Sequence, residues 1–188
     1  MTGVILAGGR SSRMGVDKAT YAVAGRPMIE WVGEALEAVA DRVVVAGRDE
    51  PLAGYEPLPD PRPSHRGPLA GVVAALEAFW DTGVVVVAVD QPWVRPETLR
   101  QLAGRMTDLA VVPVDSGVRQ TTCAVYPPTV AAAARTELEE GGSLQSLLDV
   151  VAFEQVVDWH SWGEDGRSWF SVDSPEDEDE GLARFGVP

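Results

Sequence analysis

The sequence predicts an α/β fold: a doubly wound, mostly parallel sheet with helices on both faces. Short β-branched runs alternate with longer stretches of helical periodicity, which is typical of repeated βα units. The run "VVVVAVD" (84–90) is apolar up to its last residue, as expected of a central strand covered on both faces. The chain has 188 residues, 45% of them hydrophobic, which suits one well-buried core better than two. We therefore expect a single domain over residues 1–188.

The first elements follow from local patterning. "VILA" (4–7) is the first predicted strand and "RVVVAG" (42–47) the second. Between them, residues 26–40 place apolar side chains at helical spacing behind Pro27, a residue suited to the first position of a helix. The stretch 48–66 carries five prolines, so we expect a loop with at most a short strand.

The alternation continues to the end of the chain. Residues 67–80 are predicted to form a helix, and strand 84–90 stops at Asp90, which places that carboxylate at the carboxyl end of a strand. The remaining predicted elements are helix 96–106, strands 109–114 and 121–127, helices within 128–140 and 143–150, strands 153–158 and 168–172, and a last helix from Pro175.

The charge balance excludes two classes of partner. The formal net charge is −14 and the pI is about 4.4, whereas nucleic acids and anionic membranes require a broad basic face. Residues 1–28 nevertheless hold a single acid, Asp17, beside four basic side chains: Arg10, Arg13, Lys18 and Arg26. A polyanionic ligand would therefore be bound locally, where the glycines are also concentrated.

Location and redox chemistry are also constrained. The segment "MTGVILAGG" has no basic region and only a short apolar run, and eighteen consecutive apolar residues occur nowhere, so we expect a cytoplasmic protein. A single cysteine, Cys123, excludes an internal disulfide. With His65 and His160 as the two histidines, no Cys/His cluster is spaced for structural zinc. We expect Cys123 to be a buried small apolar residue.

A lysine marks the glycine-rich segment. Lys18 is the only lysine of the chain, while arginine occurs fourteen times (15 basic residues minus one). Because arginine serves wherever a generic positive charge is needed, a position that keeps the compact ammonium is expected to need its geometry.

The segment before Lys18 fits neither of two common phosphate-binding loops. A strand followed by a glycine-rich turn lets backbone N–H groups converge on a phosphate. The pattern GxxxxGK[ST] does not fit, because two residues separate Gly15 from Lys18. The pattern GxGxxG does not fit either, because Gly8 and Gly9 are adjacent.

The segment "LAGGRSSRMGVDK" (6–18) instead resembles the signature LAGGxSxRMGxDK of the nucleotidyltransferases related to molybdenum cofactor guanylyltransferase. Further segments fall in that family's order: "PD" (59–60), "GPLAG" (67–71), "VAVDQPWV" (87–94), "RQTTCAVYP" (119–127) and "SVDSPED" (171–177). The resemblance implies a Rossmann-like domain with a nucleotide-binding part over about residues 1–110 and an acceptor-binding part over about residues 111–188.

The resemblance also implies site residues. Those that would bind the nucleotide are Leu6, Ala7, Gly8 and Gly9, with Lys18 on its phosphates, Asp60 at the nucleoside end, and Asp90 on both nucleotide and Mg²⁺. In nucleotidyl transfer an oxyanion attacks the α-phosphorus and pyrophosphate leaves, so catalysis is positioning plus charge neutralisation. Adjacent glycines would let the backbone approach the phosphates. Arg13 would grip a terminal phosphate as a fork, and Lys18 would act as a point charge. One carboxylate, Asp90, suffices for Mg²⁺ when phosphates and water supply the other ligands.

The implied activity is transfer of GMP from GTP to a molybdopterin-type cofactor, with Mg²⁺ and release of pyrophosphate. Other cofactor-biosynthesis proteins or acceptor molybdoenzymes would be further partners. One alternative is a related cytidylyl- or guanylyltransferase with another phosphorylated acceptor, although cytidylyl relatives tend to read LAAG where this chain reads LAGG. The other is a nucleotide-binding regulatory protein without catalysis, which the joint presence of Arg13, Lys18 and Asp90 disfavours.

The acceptor side departs from the family pattern. Thr121 and Thr122 replace a proline-containing pair, which leaves the identity of the acceptor open. Stacking on a pterin is one interpretation of three tryptophans in this half, but tryptophans usually belong to cores, so we expect a core role for Trp159, Trp162 and Trp169.

"SVDSPED" (171–177) lacks both asparagines of the family's NxNTPE. It is typical of a helix start, with Ser174 as the cap and Pro175 at the first helical position. Asp173 is left outside that cap, and we hypothesise that it helps Asp90 to bind Mg²⁺.

Overall fold

A computed structural model describes residues 1–8, 17–61 and 67–188. The strands in these ranges are β1 (Thr2–Leu6), β2 (Ala22–Val23), β3 (Arg26–Pro27), β4 (Arg42–Ala46), β5 (Glu56–Leu58), β6 (Val84–Ala88), β7 (Ala110–Asp115), β8 (Val118–Arg119), β9 (Cys123–Tyr126) and β10 (Phe153–Val156). The α-helices are α1 (Met28–Glu37), α2 (Pro68–Ala78), α3 (Pro96–Gly104), α4 (Ala131–Glu139), α5 (Leu144–Val150) and α6 (Pro175–Phe185). Short 3₁₀ helices span Lys18–Thr20, Pro128–Val130, Trp159–Trp162 and Arg167–Trp169.

The main sheet has the strand order β10-β7-β9-β6-β1-β4-β5, with β8 added to β7. Its neighbours run parallel except at β9, which is antiparallel to β6 and β7, and at the β7–β8 pair. Leu6 lies opposite both Ala46 and Ala88, so β1, β4 and β6 end at the same level. The chain moves from β1 to β4 on one side and later to β6 on the other, which makes this edge a topological switch point, where open α/β sheets bind ligands.

Helices cover both faces of the sheet, as predicted. Alternate residues of β1 enter opposite layers: Val4 and Leu6 pack with α2, α4 and α5, whereas Ile5 packs with α1 and α3. In β6, Val84 to Val87 are fully buried, which explains the continuous apolar run. The sequence prediction of a doubly wound, mostly parallel sheet is confirmed.

The C-terminal segment lies across the loop that follows β6. A Cβ atom on Gly181 of α6 would overlap the indole ring of Trp93, so the glycine lets the helix approach that ring. The Trp93 Nε1–H donates to the Gly186 carbonyl at 2.7 Å, and the Val172 N–H donates to the Asp90 carbonyl at 2.8 Å. These two bonds hold Val172 and Gly186, on either side of α6, against the loop that follows β6.

The predicted strand 168–172 is wrong. The structure has a 3₁₀ helix at Arg167–Trp169, because Ser168 bonds to a buried carboxylate instead of a neighbouring strand. Its N–H donates to Glu164 Oε1 at 3.2 Å and its hydroxyl donates to Glu164 Oε2 at 2.6 Å. Such local side-chain bonds compete with a strand ladder for the backbone.

The start of α1 also differs from the prediction. Pro27 pairs with Ala22 in the β2–β3 hairpin, so it is extended and the helix begins one residue later, at Met28. The hairpin turn uses positive φ at both Ala24 (51°) and Gly25 (79°), the combination that suits the twist of a tight hairpin.

Candidate active site

The backbone continues in register beyond the carboxyl ends of three neighbouring strands. The Ala7 N–H donates to the Ala46 carbonyl at 3.1 Å, and the Val89 N–H donates to the Leu6 carbonyl at 3.1 Å. The chain that leaves β1 is therefore held between the chains that leave β4 and β6. The side chains of Leu6 and Ala7 are buried in the core, so their backbone is what faces this edge.

Two glycines allow a close backbone crossing beside a carboxylate. Gly47 has a φ of 80°, and a Cβ atom there would lie 2.7 Å from the Gly8 nitrogen. A Cβ atom on Gly8 would lie 3.1 Å from the Gly47 Cα and 3.6 Å from Asp60 Oδ2. The predicted nucleotide-binding residues Gly8 and Asp60 are thus neighbours at the ends of β1 and β5, and Gly8 is exposed.

Lys18 lies between two carboxylates that are distant in the sequence. Its Nζ donates to Asp90 Oδ2 at 2.7 Å and also contacts Asp173 Oδ1. Burial alone would lower the pKa of Lys18, but the hydrogen bonds to Asp173 and Asp90 outweigh burial and raise that pKa above its usual value. The side chain is therefore an ammonium at neutral pH, and it balances part of the negative charge of both acids.

Local structure fixes the main chain of Lys18. Lys18 opens a 3₁₀ turn whose cap is Asp17, because the Asp17 carboxylate accepts a hydrogen bond from the Ala19 N–H at 3.1 Å. At the end of the same turn, the Tyr21 hydroxyl donates to Glu178 Oε2 of α6 at 2.7 Å. This bond is the main reason that the pKa of Tyr21 rises to about 12. The turn that carries Lys18 is thus tied to the C-terminal helix.

The predicted helix cap before α6 is confirmed, and it positions Asp173. The Ser174 hydroxyl accepts from the Asp177 N–H at 3.3 Å, with Pro175 as the first helical residue. The Asp173 N–H donates to Asp177 Oδ2 at 2.9 Å. The side chain of Asp173 then reaches Lys18, a contact that the sequence did not predict.

Arg48 is a site residue that the sequence interpretation missed. Its Nε donates to the Ala7 carbonyl at 3.1 Å, and its two terminal nitrogens donate to the Asp17 carboxylate at 2.7 and 2.6 Å. These bonds are the main cause of the lowered pKa of Asp17. The available signal was position, because Arg48 follows Gly47 at the carboxyl end of the strand beside β1.

Two predicted site residues, Gly9 and Arg13, lie outside the described residues.

Across residues 1–8, 17–61 and 67–188, no group of three or more His, Cys, Asp or Glu side chains is arranged to hold a metal ion. Within the same ranges, none of the helices has the length and apolar character needed to cross a membrane. In the described part of the site, Asp90 and Asp173 are a pair of carboxylates that share Lys18.

The tryptophans of the second half have structural roles, as expected. Trp159 and Trp169 are buried and meet edge to face at a centroid distance of 4.9 Å. Each indole N–H has a partner on β7: Trp159 donates to the Val114 carbonyl at 2.9 Å and Trp169 to Asp115 Oδ2 at 3.0 Å. Trp162 packs against the same core. Cys123 is fully buried, which raises the pKa of its thiol and confirms it as a core residue.

Comparison with known proteins gives consistent matches. Residues 3–157 match the MobA-like NTP transferase domain. The chain is 35% identical over 194 aligned residues to the probable molybdenum cofactor guanylyltransferase of Natronomonas pharaonis, with 94% of each chain covered. It is 32% identical to the probable molybdenum cofactor guanylyltransferase of Bacillus licheniformis, with 81% of this chain and 82% of the relative covered. The crystal structure of molybdopterin-guanine dinucleotide biosynthesis protein A from Archaeoglobus fulgidus superimposes with a TM-score of 0.82, at 25% identity and 96% coverage of both chains.

Proposed function

The chain belongs to the MobA-like NTP transferase family and is a nucleotidyltransferase, and from that premise we propose that it transfers GMP from GTP to a molybdopterin-type cofactor, with Mg²⁺ and release of pyrophosphate. The names of the two relatives support both GTP and the acceptor. The observation that carries the proposal is the 2.7 Å contact between Lys18 Nζ and Asp90 Oδ2. It lies at the carboxyl ends of β1 and β6, where open α/β sheets bind nucleotides.

On the nucleotide side, the proposed contacts are mostly with the backbone. The main chain of Leu6 and Ala7 leads to Gly8, whose lack of a side chain lets it pass close to Gly47, and its exposed backbone is proposed to contact the nucleotide. Asp60, beside Gly8, is proposed to accept hydrogen bonds from the nucleoside. Gly9, the next residue in the sequence, is proposed to contact the nucleotide as well. In this scheme residues 1–110 form the nucleotide-binding part and residues 111–188 the acceptor-binding part of one domain.

In the proposed reaction, a phosphate oxygen of the acceptor attacks the α-phosphorus of GTP. A new P–O bond forms as the bond to pyrophosphate breaks, and the nucleophile and leaving group both carry negative charge. Lys18 donates to the α-phosphate or to the leaving pyrophosphate, for which its Nζ exchanges a carboxylate partner for phosphate oxygen. Arg13 grips the terminal phosphate, and the contribution of both residues is positioning and charge neutralisation.

The carboxylates present suit Mg²⁺. Asp90 and Asp173 contact one ammonium, so their oxygens already share a cation. Hard carboxylate oxygens, completed by phosphates and water, are the ligand set that Mg²⁺ prefers, and we propose that these two residues hold it. When bound, Mg²⁺ would neutralise phosphate charge and polarise the α-phosphate. Two carboxylates beside a triphosphate would otherwise repel it, and Lys18 alone supplies one positive charge against two negative ones.

Nucleotide choice is tested by thermal unfolding. We expect GTP with Mg²⁺ to raise the melting temperature clearly more than CTP at the same concentration, because a ligand that binds only the folded state stabilises it according to its concentration relative to its dissociation constant. Differential scanning fluorimetry over a series of nucleotide concentrations measures this. Equal shifts for the two nucleotides would remove the guanylyl assignment and favour a relative with another base.

The role of Asp173 is tested by a metal titration. Asp173→Asn should raise the Mg²⁺ concentration needed for half-maximal activity, because one anionic ligand is lost while the side-chain size is kept. We expect the free energy of unfolding to change by no more than about 0.5 kcal/mol, since the side chain is half exposed. Asp179→Asn removes an equal charge from an exposed position on α6 and is the matched control. An unchanged Mg²⁺ titration would leave Asp173 as a partner of Lys18 alone.

A further inference from the structure

Arg48 joins two segments of the chain that flank the glycine-rich loop. Its Nε donates to the carbonyl of Ala7 at 3.1 Å, at the exit of β1. Its Nη1 and Nη2 donate to the two oxygens of Asp17 at 2.7 and 2.6 Å, in the parallel arrangement of a guanidinium and a carboxylate. Three nitrogens of one side chain therefore fix the residue before Lys18 relative to the end of a central strand.

This link reaches the sheet through the backbone on both sides. Ala7 is held to Ala46 by the 3.1 Å backbone bond, and Arg48 lies two residues after Ala46 on the same strand exit. On the other side, Asp17 caps the turn that begins at Lys18 through the Ala19 N–H. The turn at Lys18 is thus connected to the sheet through Arg48, which bonds to Asp17 on one side and to the Ala7 carbonyl on the other.

We propose that Arg48 is a positioning residue for nucleotidyl transfer: by clamping Asp17 to the exit of β1, it fixes Lys18 where the ammonium meets the phosphates. The inference rests on the proposed function and deepens it. Arg48 is suited to positioning rather than to direct phosphate binding, because both of its terminal nitrogens already donate to the Asp17 carboxylate, which offsets its charge. A lysine could not replace it, since one ammonium lacks the planar fork that bonds Asp17 and Ala7 together.

The decisive variants are Arg48→Met, Lys18→Met and the two combined. We expect Arg48→Met to weaken GTP binding about tenfold and to lower turnover about tenfold. Each factor corresponds to the loss of about one charge-assisted hydrogen bond. The KM for the acceptor should not change, because Arg48 lies on the nucleotide side. In the Lys18→Met background, Arg48→Met should weaken GTP binding no further, because the group that it positions is already gone. Isothermal titration calorimetry measures GTP binding without requiring activity.

Two further proteins separate positioning from general stability. Asp17→Asn keeps the size of the side chain and an oxygen for the Ala19 N–H but loses the charge, so it should weaken GTP binding to the same extent as Arg48→Met. Arg135→Met is the matched control, because Arg135 bonds to Glu139 at 2.9 Å and Glu77 at 3.1 Å, between α4 and the last turn of α2. The melting temperatures of Arg135→Met and Arg48→Met should both fall by a small amount, about 2–4 °C. GTP binding should be unchanged in Arg135→Met alone.

Two results would overturn the role of Arg48. If Arg48→Met weakened GTP binding equally with and without Lys18, the guanidinium would contact the nucleotide directly. If Arg48→Met and Asp17→Asn both bound and turned over GTP like the unaltered protein, the clamp would be structural only. Failure of the proposed function has a different signature, because the unaltered protein itself would then not bind GTP, and Arg48 would have no such reaction to serve.

Discussion

Replacing Lys18 by alanine is expected to abolish nucleotidyl transfer, with turnover falling about 10³-fold or more. This is the effect expected when a preorganised group that stabilises charge in the transition state is lost. The structure adds a second reason. Without the ammonium, the proposed Mg²⁺ would have to balance Asp90 and Asp173 without Lys18, which leaves less positive charge to attract a triphosphate. Lys18→Arg should not restore activity fully, because a planar guanidinium is larger and directs its donors differently.

Steady-state rates with GTP, Mg²⁺ and acceptor measure this effect. The control is thermal unfolding of each variant, because Lys18 is partly buried and a change in fold would also lower the rate. A fully active Lys18→Arg enzyme would contradict the account: the single lysine of the chain would then be an accident of composition rather than a requirement for a compact ammonium.

The second large effect is expected for Asp90→Asn, with turnover at least about 10²-fold lower and the fold retained. An amide oxygen at this position can still accept a hydrogen bond from Lys18, so the substitution mainly removes the negative charge proposed for Mg²⁺. Asp81→Asn is the matched control, because Asp81 lies near the opposite, amino end of β6 and is exposed. We expect it to be as active as the unaltered protein.

A titration of activity against Mg²⁺ distinguishes the causes. Asp90→Asn should need more Mg²⁺ and should remain impaired at saturation. Near-normal activity at low Mg²⁺ would contradict the proposal and would mean that the metal is held elsewhere.

Much of the fold was predictable because the spacing of apolar residues along a helix or strand follows from which of its faces are buried. The valines of β6 face helices on both sides of the sheet, and a continuous apolar run reports this directly. The same reasoning predicted a strand over 168–172, because the composition of this segment is typical of a strand, but the structure has a 3₁₀ helix there. Ser168 bonds to the buried carboxylate of Glu164, and a partner four residues away leaves no periodic signal.

The site was predictable only in part. Lys18 and Asp90 were predicted from the sequence, through the loop signature and the end of an apolar strand, and the structure places their side chains in contact. The contact of Asp173 with Lys18 does not, because it depends on the docking of α6 against Trp93. Arg48 was missed because the role proposed for it depends on strand order: β4 lies beside β1, and neither segment alone indicates that they are neighbours.

The most direct test is a single reaction with purified protein, GTP, Mg²⁺ and molybdopterin-type acceptor, in which the dinucleotide product and pyrophosphate are both quantified. We expect one pyrophosphate per dinucleotide formed, dependence on both Mg²⁺ and acceptor, and little product when CTP replaces GTP. Equal or greater product with CTP, or no pyrophosphate with this acceptor at any Mg²⁺ concentration, would contradict the proposed function.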